Sequence, residues 1–239
     1  MSPSSEPDSE FASGPAASSA PSPRDAHVAA LLERYLAAQL KGQRQEAMRL
    51  VLEDGVGAGL SVADLQLRVI GPAQQEIGRL WQENRITVAQ EHLATAISQL
   101  VLAQLYRHLP RDPPNGKRVT VACVEGELHE VGARMASDFL EMSGFDVEFL
   151  GANVPTDSLV RWVEDAKPDL LCLSATMSFH LAALQEAIER VRTIAPHLPI
   201  AVGGHAFEWA RGLEDKLGVT FYGKDARALV AGACKELGV

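Results

Sequence analysis

A carboxylate and a histidine stand two residues apart in the segment EGELHEVG, residues 125–132. A carboxylate at that spacing can accept a hydrogen bond from one ring nitrogen of the imidazole and leave the other nitrogen free to bind a metal. Glu127 and His129 are therefore candidates for a metal-ligand pair. An isolated pair of this kind is more often part of a solvated loop, so it needs support from elsewhere in the chain. The segment also lacks the G-x-G-x-x-G pattern of a dinucleotide-binding loop.

A second carboxylate and histidine, Glu91 and His92, follow Trp81 at a distance of ten residues. Taken alone, the tryptophan is typical of a core or helix-end aromatic, and the pair is typical of an exposed surface. Helical periodicity places Trp81 late in one helix and the pair in the first turn of the next. We expect the three side chains to converge on one end of the helical region.

Three further loops carry small residues or hydroxyls directly after apolar runs. They read LGANVP over 150–155, LSATMS over 173–178 and VGGH over 202–205. Small residues allow a bulky ligand to lie close to the backbone. In a parallel sheet these loops and segment 125–132 would meet at the carboxyl edge, which is where ligands of such sheets bind.

The elements that carry these segments form two folded parts and a tail. Residues 1–25 are rich in Ser, Pro, Ala and acidic residues, which predicts a disordered tail. Apolar residues then recur every three or four positions and predict helices near 26–41, 43–55, 62–84 and 88–109. Thr87 and Gln90 fit a capping box at the start of the last helix. Short connections predict a four-helix bundle over 26–112, which the proline-rich segment 110–116 ends.

Beyond this boundary, short apolar runs alternate with amphipathic segments. The runs over 119–124, 147–150, 170–174, 199–204 and 219–223 predict strands, and helices are expected to begin near Glu130, Thr156, Phe179, Phe207 and Ala226. Strands that are apolar on both faces and alternate with helices are typical of a parallel sheet covered on both sides. The predicted fold class is α/β, with the four-helix bundle as a cap on a flavodoxin-like or Rossmann-like five-stranded domain over 117–239.

The loops of residues 117–239 resemble the cobalamin-binding domain family, whose hallmark is D-x-H-x-x-G, then L-G-x-x-V-P, a serine after the third strand and a pair of glycines. The resemblance implies cobalamin as the cofactor, in its adenosyl form or another alkyl or hydroxo form. It also implies that His129 is the lower axial ligand of cobalt, with Glu127 as its hydrogen-bond partner. Most members have Asp where this chain has Glu127, and the extra methylene predicts a less direct or water-bridged contact with His129.

The W-x9-E-H pattern and the glutamate in the lower loop are similar to those of light-sensing cobalamin regulators, over about residues 27–239. That resemblance implies that the bundle covers the upper face of the cofactor, that light removes the upper axial group, and that His92 can take the vacated position. The cofactor contacts implied by both resemblances are Trp81, Glu91, His92, Glu127, Leu128, His129, Gly132, Ser174, Thr176, Ser178, Gly203 and Gly204.

Two alternatives to a light sensor remain open. A corrinoid protein that carries methyl groups between methyltransferases shares the helical cap and the histidine loop, so the fold alone does not separate it from a sensor. A sensor can also hold another flat tetrapyrrole, haem or a bilin, in the same cleft. The preferred interpretation is a regulator rather than an enzyme.

Charge and hydropathy limit the partners. The formal net charge is −9, which argues against direct nucleic-acid binding, because phosphate contacts need clustered Lys and Arg. The sequence also has no counterpart of the DNA-binding module found in the best-known light-sensing regulators. A regulatory protein partner, such as a transcriptional repressor, or self-association is therefore expected. No apolar run reaches the roughly 18 to 20 residues of a membrane helix, and the start lacks the pattern of a signal peptide, so we expect a cytoplasmic protein with no membrane partner.

Overall fold

The computed structural model of the chain describes residues 22–209 and 212–239. Residues 1–21 of the predicted tail lie outside the described residues. Helix α1 runs over Pro23–Leu40 and begins three residues earlier than the sequence predicts. Ser22 caps this helix by accepting a hydrogen bond from the backbone N–H of Asp25. A proline in the first turn is tolerated because its nitrogen needs no partner there.

The helical half follows the predicted order, but two of its helices are interrupted. Helix α1 is followed by α2 (Arg44–Arg49), α3 (Val62–Leu65), α4 (Gly71–Gln82) and α5 (Val88–Leu105), with π-helical turns over Leu50–Gly55 and Gln66–Ile70 and 3-10 turns over Val56–Ala58 and Tyr106–His108. The predicted helix over 62–84 is thus α3, a π-helical turn and α4 in one run. Pro72 accounts for this interruption, because it has no N–H for the regular helical hydrogen bond.

Helix α5 begins as the sequence predicts. The hydroxyl of Thr87 accepts a hydrogen bond from the backbone N–H of Gln90, and the Gln90 side chain accepts one from the backbone N–H of Thr87, which completes the capping box. The interior of the bundle is apolar and draws on all five helices through Leu31, Ala47, Leu65, Ala73 and Leu102. Across the part of the chain that the structure describes, no helix is both long and apolar enough to cross a membrane.

The second half is an α/β domain, which confirms the predicted fold class. Strands β1 (Arg118–Cys123), β2 (Asp146–Gly151), β3 (Leu170–Ser174), β4 (Ile200–Gly203) and β5 (Phe221–Tyr222) alternate with helices α6 (Val131–Met142), α7 (Thr156–Ala166), α8 (Leu181–Ile194), α9 (Ala206–Trp209), α10 (Leu213–Lys216) and α11 (Ala226–Leu237). All strands pair in parallel, in the order β2-β1-β3-β4-β5. Helices cover apolar side chains on both faces of the sheet, which explains the continuous apolar runs.

Strand β5 and helix α8 differ more from the sequence-based prediction than the other predicted elements of this half, whose bounds agree within about one residue. Strand β5 is shorter than the predicted run over 219–223, because it is an edge strand that pairs only with β4. Helix α8 begins at Leu181 rather than near Phe179, because Ser178–His180 forms a 3-10 turn. This turn keeps His180 in the loop after β3 and beside the carboxyl edge of the sheet.

Helix α6 joins the two halves of the chain. Val131, in its first turn, belongs to the apolar core of the bundle. The side chain of Gln66 donates a hydrogen bond to Asp138 in α6, and Gln99 in α5 donates one to Glu130 just before α6. The C-terminal end of the loop after β1 is therefore attached to the bundle.

Asp138 is expected to make the stability of the protein fall as the pH rises from about 4 to about 6. Burial raises the pKa of this carboxyl from 3.8 to about 6, against the opposing effect of the hydrogen bond from Gln66. Within that window the folded state holds more protons than the unfolded state, so the free energy of unfolding decreases as pH increases. The penalty above pH 6 is about 2 to 3 kcal/mol.

Replacing Asp138 with asparagine removes this penalty. We expect Asp138→Asn to raise the free energy of unfolding at pH 7.5 by about 2 kcal/mol and to flatten the decline between pH 4 and 6. The amide keeps an acceptor for Gln66 and adds a donor near the buried Gln66 carbonyl oxygen, which has no partner among the described residues. Urea unfolding across this pH range checks the prediction, and an unchanged slope in the variant would contradict it.

Candidate functional site

The strand order locates a crevice at the carboxyl edge of the sheet. Strand β1 lies between β2 and β3, so the connections that leave β1 and β3 run to opposite sides. Ligands of open α/β sheets bind at this reversal of strand order, beyond the carboxyl ends of the strands. The loops after β1 and β3 flank the crevice, and they carry Glu127, His129 and His180.

Glu127 is the centre of the site. Its carboxylate is 0% exposed, and Oε1 accepts hydrogen bonds from Nδ1 of His129 at 2.6 Å and from the backbone N–H of His129 at 2.9 Å. Its other oxygen, Oε2, accepts from the backbone N–H groups of Thr176 at 2.7 Å and Met177 at 3.1 Å, and from Nδ1 of His180 at 2.9 Å. The prediction of a less direct contact with His129 is wrong: the longer side chain reaches both loops directly.

These contacts set the charge of the pair. Burial acts to raise the pKa of Glu127, but hydrogen bonds from the side chain and backbone of His129, from His180 and from Thr176 outweigh it and hold the pKa well below its usual range. The hydrogen bond to Glu127 raises the pKa of His129, and the charge of Glu91 adds to that effect. The imidazole of His129 is half-exposed, and its Nε2 has no partner within residues 22–209 and 212–239. A basic nitrogen held in one orientation is therefore available to a ligand.

The loop after β2 holds the histidine loop in place. The side chain of Asn153 accepts a hydrogen bond from the backbone N–H of Gly126 at 2.7 Å, and the backbone N–H of Asn153 donates to the backbone carbonyl of Glu127 at 2.8 Å. Next to it, the N–H of Ala152 donates to Glu130. Asn153 adopts a left-handed conformation, φ 51°, which asparagine tolerates better than most residues. The L-G-x-x-V-P segment thus positions the β1 loop.

Two of the predicted glycines serve different purposes. Gly204 has φ 106°, and a Cβ there would overlap the backbone of Ala175, so glycine allows the loops after β3 and β4 to pack together. Gly132 lies in the first turn of α6, and a Cβ there would meet nothing within 4 Å. The start of α6 therefore offers open space beside His129 for a ligand. Ser174 and Gly203 are register partners at the ends of β3 and β4.

The helical half contains a second carboxylate–imidazole pair. Glu91 and His92 lie in the first turn of α5, where Nδ1 of His92 donates to Oε2 of Glu91 at 2.6 Å. Glu91 is close enough to His129 for its charge to raise the pKa of that histidine. The imidazole of His92 is 74% exposed. Trp81 lies in the last turn of α4 and is partly exposed.

The sequence patterns do not single out His180, which lies in the loop after β3. The structure buries this side chain to 14% exposure against Glu127, and the ring of Phe179 meets its ring edge-on at 4.3 Å. The signal for this contact was weak, because His180 lies six residues beyond the end of β3 and reaches Glu127 only through the 3-10 turn. Ser178, a predicted contact, begins that turn and is exposed.

The residues present fit a large, flat metal cofactor. One imidazole nitrogen provides a single ligand, which suits a metal whose other positions are filled by a macrocycle. Apolar side chains are exposed near it: Leu128 is 68% exposed and Phe179 is 69% exposed. Exposed apolar surface at a strand-end crevice is typical of a ligand-binding site. A corrin with cobalt at its centre meets each of these conditions.

Comparisons with known proteins agree with this interpretation. Residues 117–231 match the model of the B12 binding domain, and residues 31–106 match a second B12 binding domain model. The chain is 34% identical over 167 residues to the HTH-type transcriptional repressor CarH of Myxococcus xanthus, which covers 69% of this chain and 55% of the repressor. It is 25% identical over 218 residues to dimethylamine corrinoid protein 3 of Methanosarcina acetivorans, which covers 89% of this chain and 93% of that protein.

A solved structure supports the fold. The monomethylamine corrinoid protein of Methanosarcina barkeri matches with a TM-score of 0.76 and 17% identity, and the match covers 87% of this chain and 98% of that one. At this identity the likeness concerns the fold alone. Both halves of the sequence match B12 binding models, and the crevice presents a fixed imidazole beside open apolar space. The chain therefore belongs to the cobalamin-binding domain family and binds cobalamin.

Proposed function

We propose that this protein is a light-responsive cobalamin regulator, in which residues 26–112 form a helical cap over a cobalamin-binding domain at 117–239. The observation that carries the proposal is that α5, the helix that begins with Glu91 and His92, contacts the histidine loop: Gln99 of α5 donates a hydrogen bond to Glu130, and the charge of Glu91 acts on the pKa of His129. A change at the upper face of the cofactor would act directly on the first turn of α5. The similarity to the repressor CarH supports a regulatory role.

The lower face of the cofactor is assigned to His129. Nε2 of His129 is the proposed ligand to cobalt, and Glu127 holds the ring by accepting a hydrogen bond from Nδ1–H. Thr176 and Met177 keep the carboxylate in place from the β3 loop. Leu128 and Gly132 would lie against the corrin, while Ser174, Ser178, Gly203 and Gly204 belong to the loops that would receive the nucleotide tail.

The upper face is assigned to the bundle. A bound alkylcobalamin supplies a cobalt–carbon bond that visible light breaks. Trp81 and Glu91 would enclose the upper group in the dark. His92 is the side chain of the bundle that can respond to the loss of that group, because its Nε2 is exposed while Nδ1 remains on Glu91. Movement of His92 would shift α5 and change the packing of the cap.

The output is assigned to protein contacts rather than to catalysis. The net charge of −9 disfavours direct contact with nucleic acid. A change in self-association, or in binding to a regulatory protein such as a repressor, therefore follows from the shift of the cap. On this proposal the chain is not itself an enzyme.

Illumination of the loaded protein tests the proposal. Protein filled with adenosylcobalamin in darkness is expected to change both its visible spectrum and its molar mass or partner binding after a light pulse. His92→Ala should keep the dark spectrum and lose the spectrum assigned to a second imidazole. His108→Ala, a histidine at the opposite end of α5, is the matched control and should behave as the unmodified protein. A protein that loses its alkyl group in light without any change of mass or partner binding would contradict a sensor.

A methyl carrier is the second candidate, because the dimethylamine corrinoid protein aligns over 93% of its length and the monomethylamine corrinoid protein shares the fold. A carrier loaded with methylcobalamin should pass its methyl group to a thiol acceptor when a methyltransferase is added, in darkness and with repeated turnover. A sensor should show no such turnover. The two assays on one preparation separate the candidates.

His180 is expected to strengthen cobalamin binding through Glu127. Replacing it with alanine removes one of the donors that hold the carboxylate, so His129 loses part of its orientation. Partners of metal ligands typically contribute about 10-fold to 100-fold in affinity, and we expect a loss near the lower figure. Titration with hydroxocobalamin, followed by absorbance, measures it. His197→Ala, near the amino end of β4, should leave the affinity unchanged; equal losses in both variants would contradict a role for His180.

A further inference from the structure

A chain of polar side chains crosses the apolar interior of the bundle and ends on Glu91. The hydroxyl of Thr95 donates to Oε1 of Glu91 at 2.8 Å, and the amide of Gln74 donates to Thr95 at 2.9 Å. Ser98 donates to the carbonyl oxygen of Gln74 at 2.9 Å, and Tyr35 meets Ser98 at 3.1 Å. These residues come from α1, α4 and α5, so the chain links three helices.

All of its hydrogen bonds point toward the carboxylate. Burial raises the pKa of Tyr35 well above its usual range, so this hydroxyl keeps its proton. Ser98 gives its single proton to Gln74 and must accept from Tyr35. Thr95 likewise accepts from Gln74 and donates to Glu91. Hydrogen bonds aligned in one direction polarise one another, which strengthens the last bond of the series.

Gln39 fixes the direction of the chain. Its Nε2 contacts the backbone carbonyl of Ala94 at 3.0 Å and the side-chain carbonyl of Gln74 at 3.2 Å, both of which only accept hydrogen bonds. The hydroxyl oxygen of Ser98 lies at 2.8 Å from the same nitrogen, so the two amide protons of Gln39 are shared among three acceptors. Oε1 of Gln39 is left buried without a partner among the described residues, an arrangement that costs about 1 to 3 kcal/mol. The fold accepts this cost in an otherwise apolar core.

We propose that Thr95, Gln74 and Ser98 are positioning residues that hold Glu91 so that His92 carries its proton on Nδ1 and keeps Nε2 free. This inference rests on the proposed role of His92 at the upper face of the cofactor. Glu91 has two oxygens with separate partners: Oε1 receives Thr95, and Oε2 receives Nδ1 of His92. With Oε1 fixed from inside the bundle, Oε2 is fixed toward His92. The hydrogen bond on one ring nitrogen determines which nitrogen is free to bind a metal.

The tautomer of His92 in the protein without cofactor tests the proposal. Long-range proton–nitrogen spectra of the full chain labelled at histidine nitrogens distinguish the two neutral forms, and His92→Ala assigns the signal. We expect Nδ1–H as the major form at pH 8. Thr95→Val keeps the side-chain volume but removes the hydroxyl, and Gln74→Met breaks the chain one residue further from Glu91. Both are expected to lose the Nδ1–H form as the major species.

Two further variants make the result specific. Thr95→Ser restores a hydroxyl and should restore the Nδ1–H form. Gln66→Met removes a different buried amide, the one that bonds Asp138, and should leave His92 unchanged. A His92 tautomer that is the same in Thr95→Val and Gln74→Met as in the unmodified, folded protein would overturn the proposal. The measurement needs neither cofactor nor light, so failure of the light response alone would contradict the proposed function and not the role of this chain.

Discussion

Replacing His129 with alanine is expected to remove the imidazole from cobalt and to weaken cobalamin binding by about a hundredfold, which corresponds to nearly 3 kcal/mol. The structure offers one fixed imidazole at the carboxyl edge beside open space, and its Nδ1 is already engaged by Glu127. His180 also bonds Glu127 through Nδ1, but its side chain is only 14% exposed, so its free ring nitrogen is less accessible to a ligand than that of the half-exposed His129.

Visible absorbance of cobalamin bound in darkness measures this effect. Unmodified protein should give the spectrum of cobalt with an imidazole below, and His129→Ala should give a spectrum without that ligand at much weaker binding. Added free imidazole should restore part of the original spectrum in the variant. An unchanged spectrum and affinity in His129→Ala would rule out the assigned lower ligand, and His197→Ala shows whether loss of any histidine has the same effect.

Much of the fold follows from periodicity in the sequence. The order of helices and strands, the capping box at Thr87 and the parallel sheet were all predictable, because each depends on local patterns or on apolar runs. The interruption before Pro72 was not predicted, although a proline inside an otherwise helical pattern is a known cause of one. The exact start of α8 was not, because the 3-10 turn at Ser178–His180 depends on contacts with Glu127 in another loop.

The site was predictable in its ligand pairs but not in its supporting contacts. His129 with Glu127, and His92 with Glu91, are close in sequence, so the spacing puts each pair within reach of a hydrogen bond, although the sequence predicts a less direct contact for His129 than the structure has. His180 approaches Glu127 across 53 residues of sequence, and no local pattern signals a contact of that kind. The sequence predicts that the extra methylene of Glu127 makes its contact with His129 less direct, whereas the methylene lets one carboxylate bond two loops.

The two carboxylate–imidazole pairs have the same geometry in different surroundings. Each joins Nδ1 to a glutamate oxygen at 2.6 Å. Glu127 is fully buried and held by backbone N–H groups of another strand-end loop. Within the described part of the chain, Glu91 bonds the side chains of Thr95 and His92, and His92 remains largely exposed. Backbone donors are fixed by the fold, whereas side-chain donors can move. This difference suits the proposed roles of His129 as a permanent ligand at the lower face of cobalt and of His92 as an exchangeable ligand at the upper face.

Glu127→Gln is expected to lower the free energy of unfolding by about 3 kcal/mol and the Tm by about 6 to 12 °C, and to weaken cobalamin binding by about 10-fold to 100-fold. The carboxylate accepts five hydrogen bonds, and an amide can replace only one of its two oxygens. If the NH2 group takes the place of Oε1, it faces the backbone N–H of His129. If it takes the place of Oε2, it faces the backbone N–H groups of Thr176 and Met177. Buried donors are then left facing each other.

The pH dependence separates this effect from a general loss of stability. The pKa of Glu127 in the folded state lies well below its ordinary value of 4.5. Between these two pKa values the unfolded state binds more protons than the folded state, so the stability that the ionised Glu127 contributes is lost as pH falls. The difference in unfolding free energy between unmodified protein and Glu127→Gln should therefore be largest and constant above pH 5, and it should decrease below pH 4.5. Glu130→Gln makes the same charge change at a carboxylate that, among the described residues, accepts hydrogen bonds from Gln99 and Ala152, and it should cost less stability than Glu127→Gln. Equal losses in the two variants at every pH would contradict the central place of Glu127.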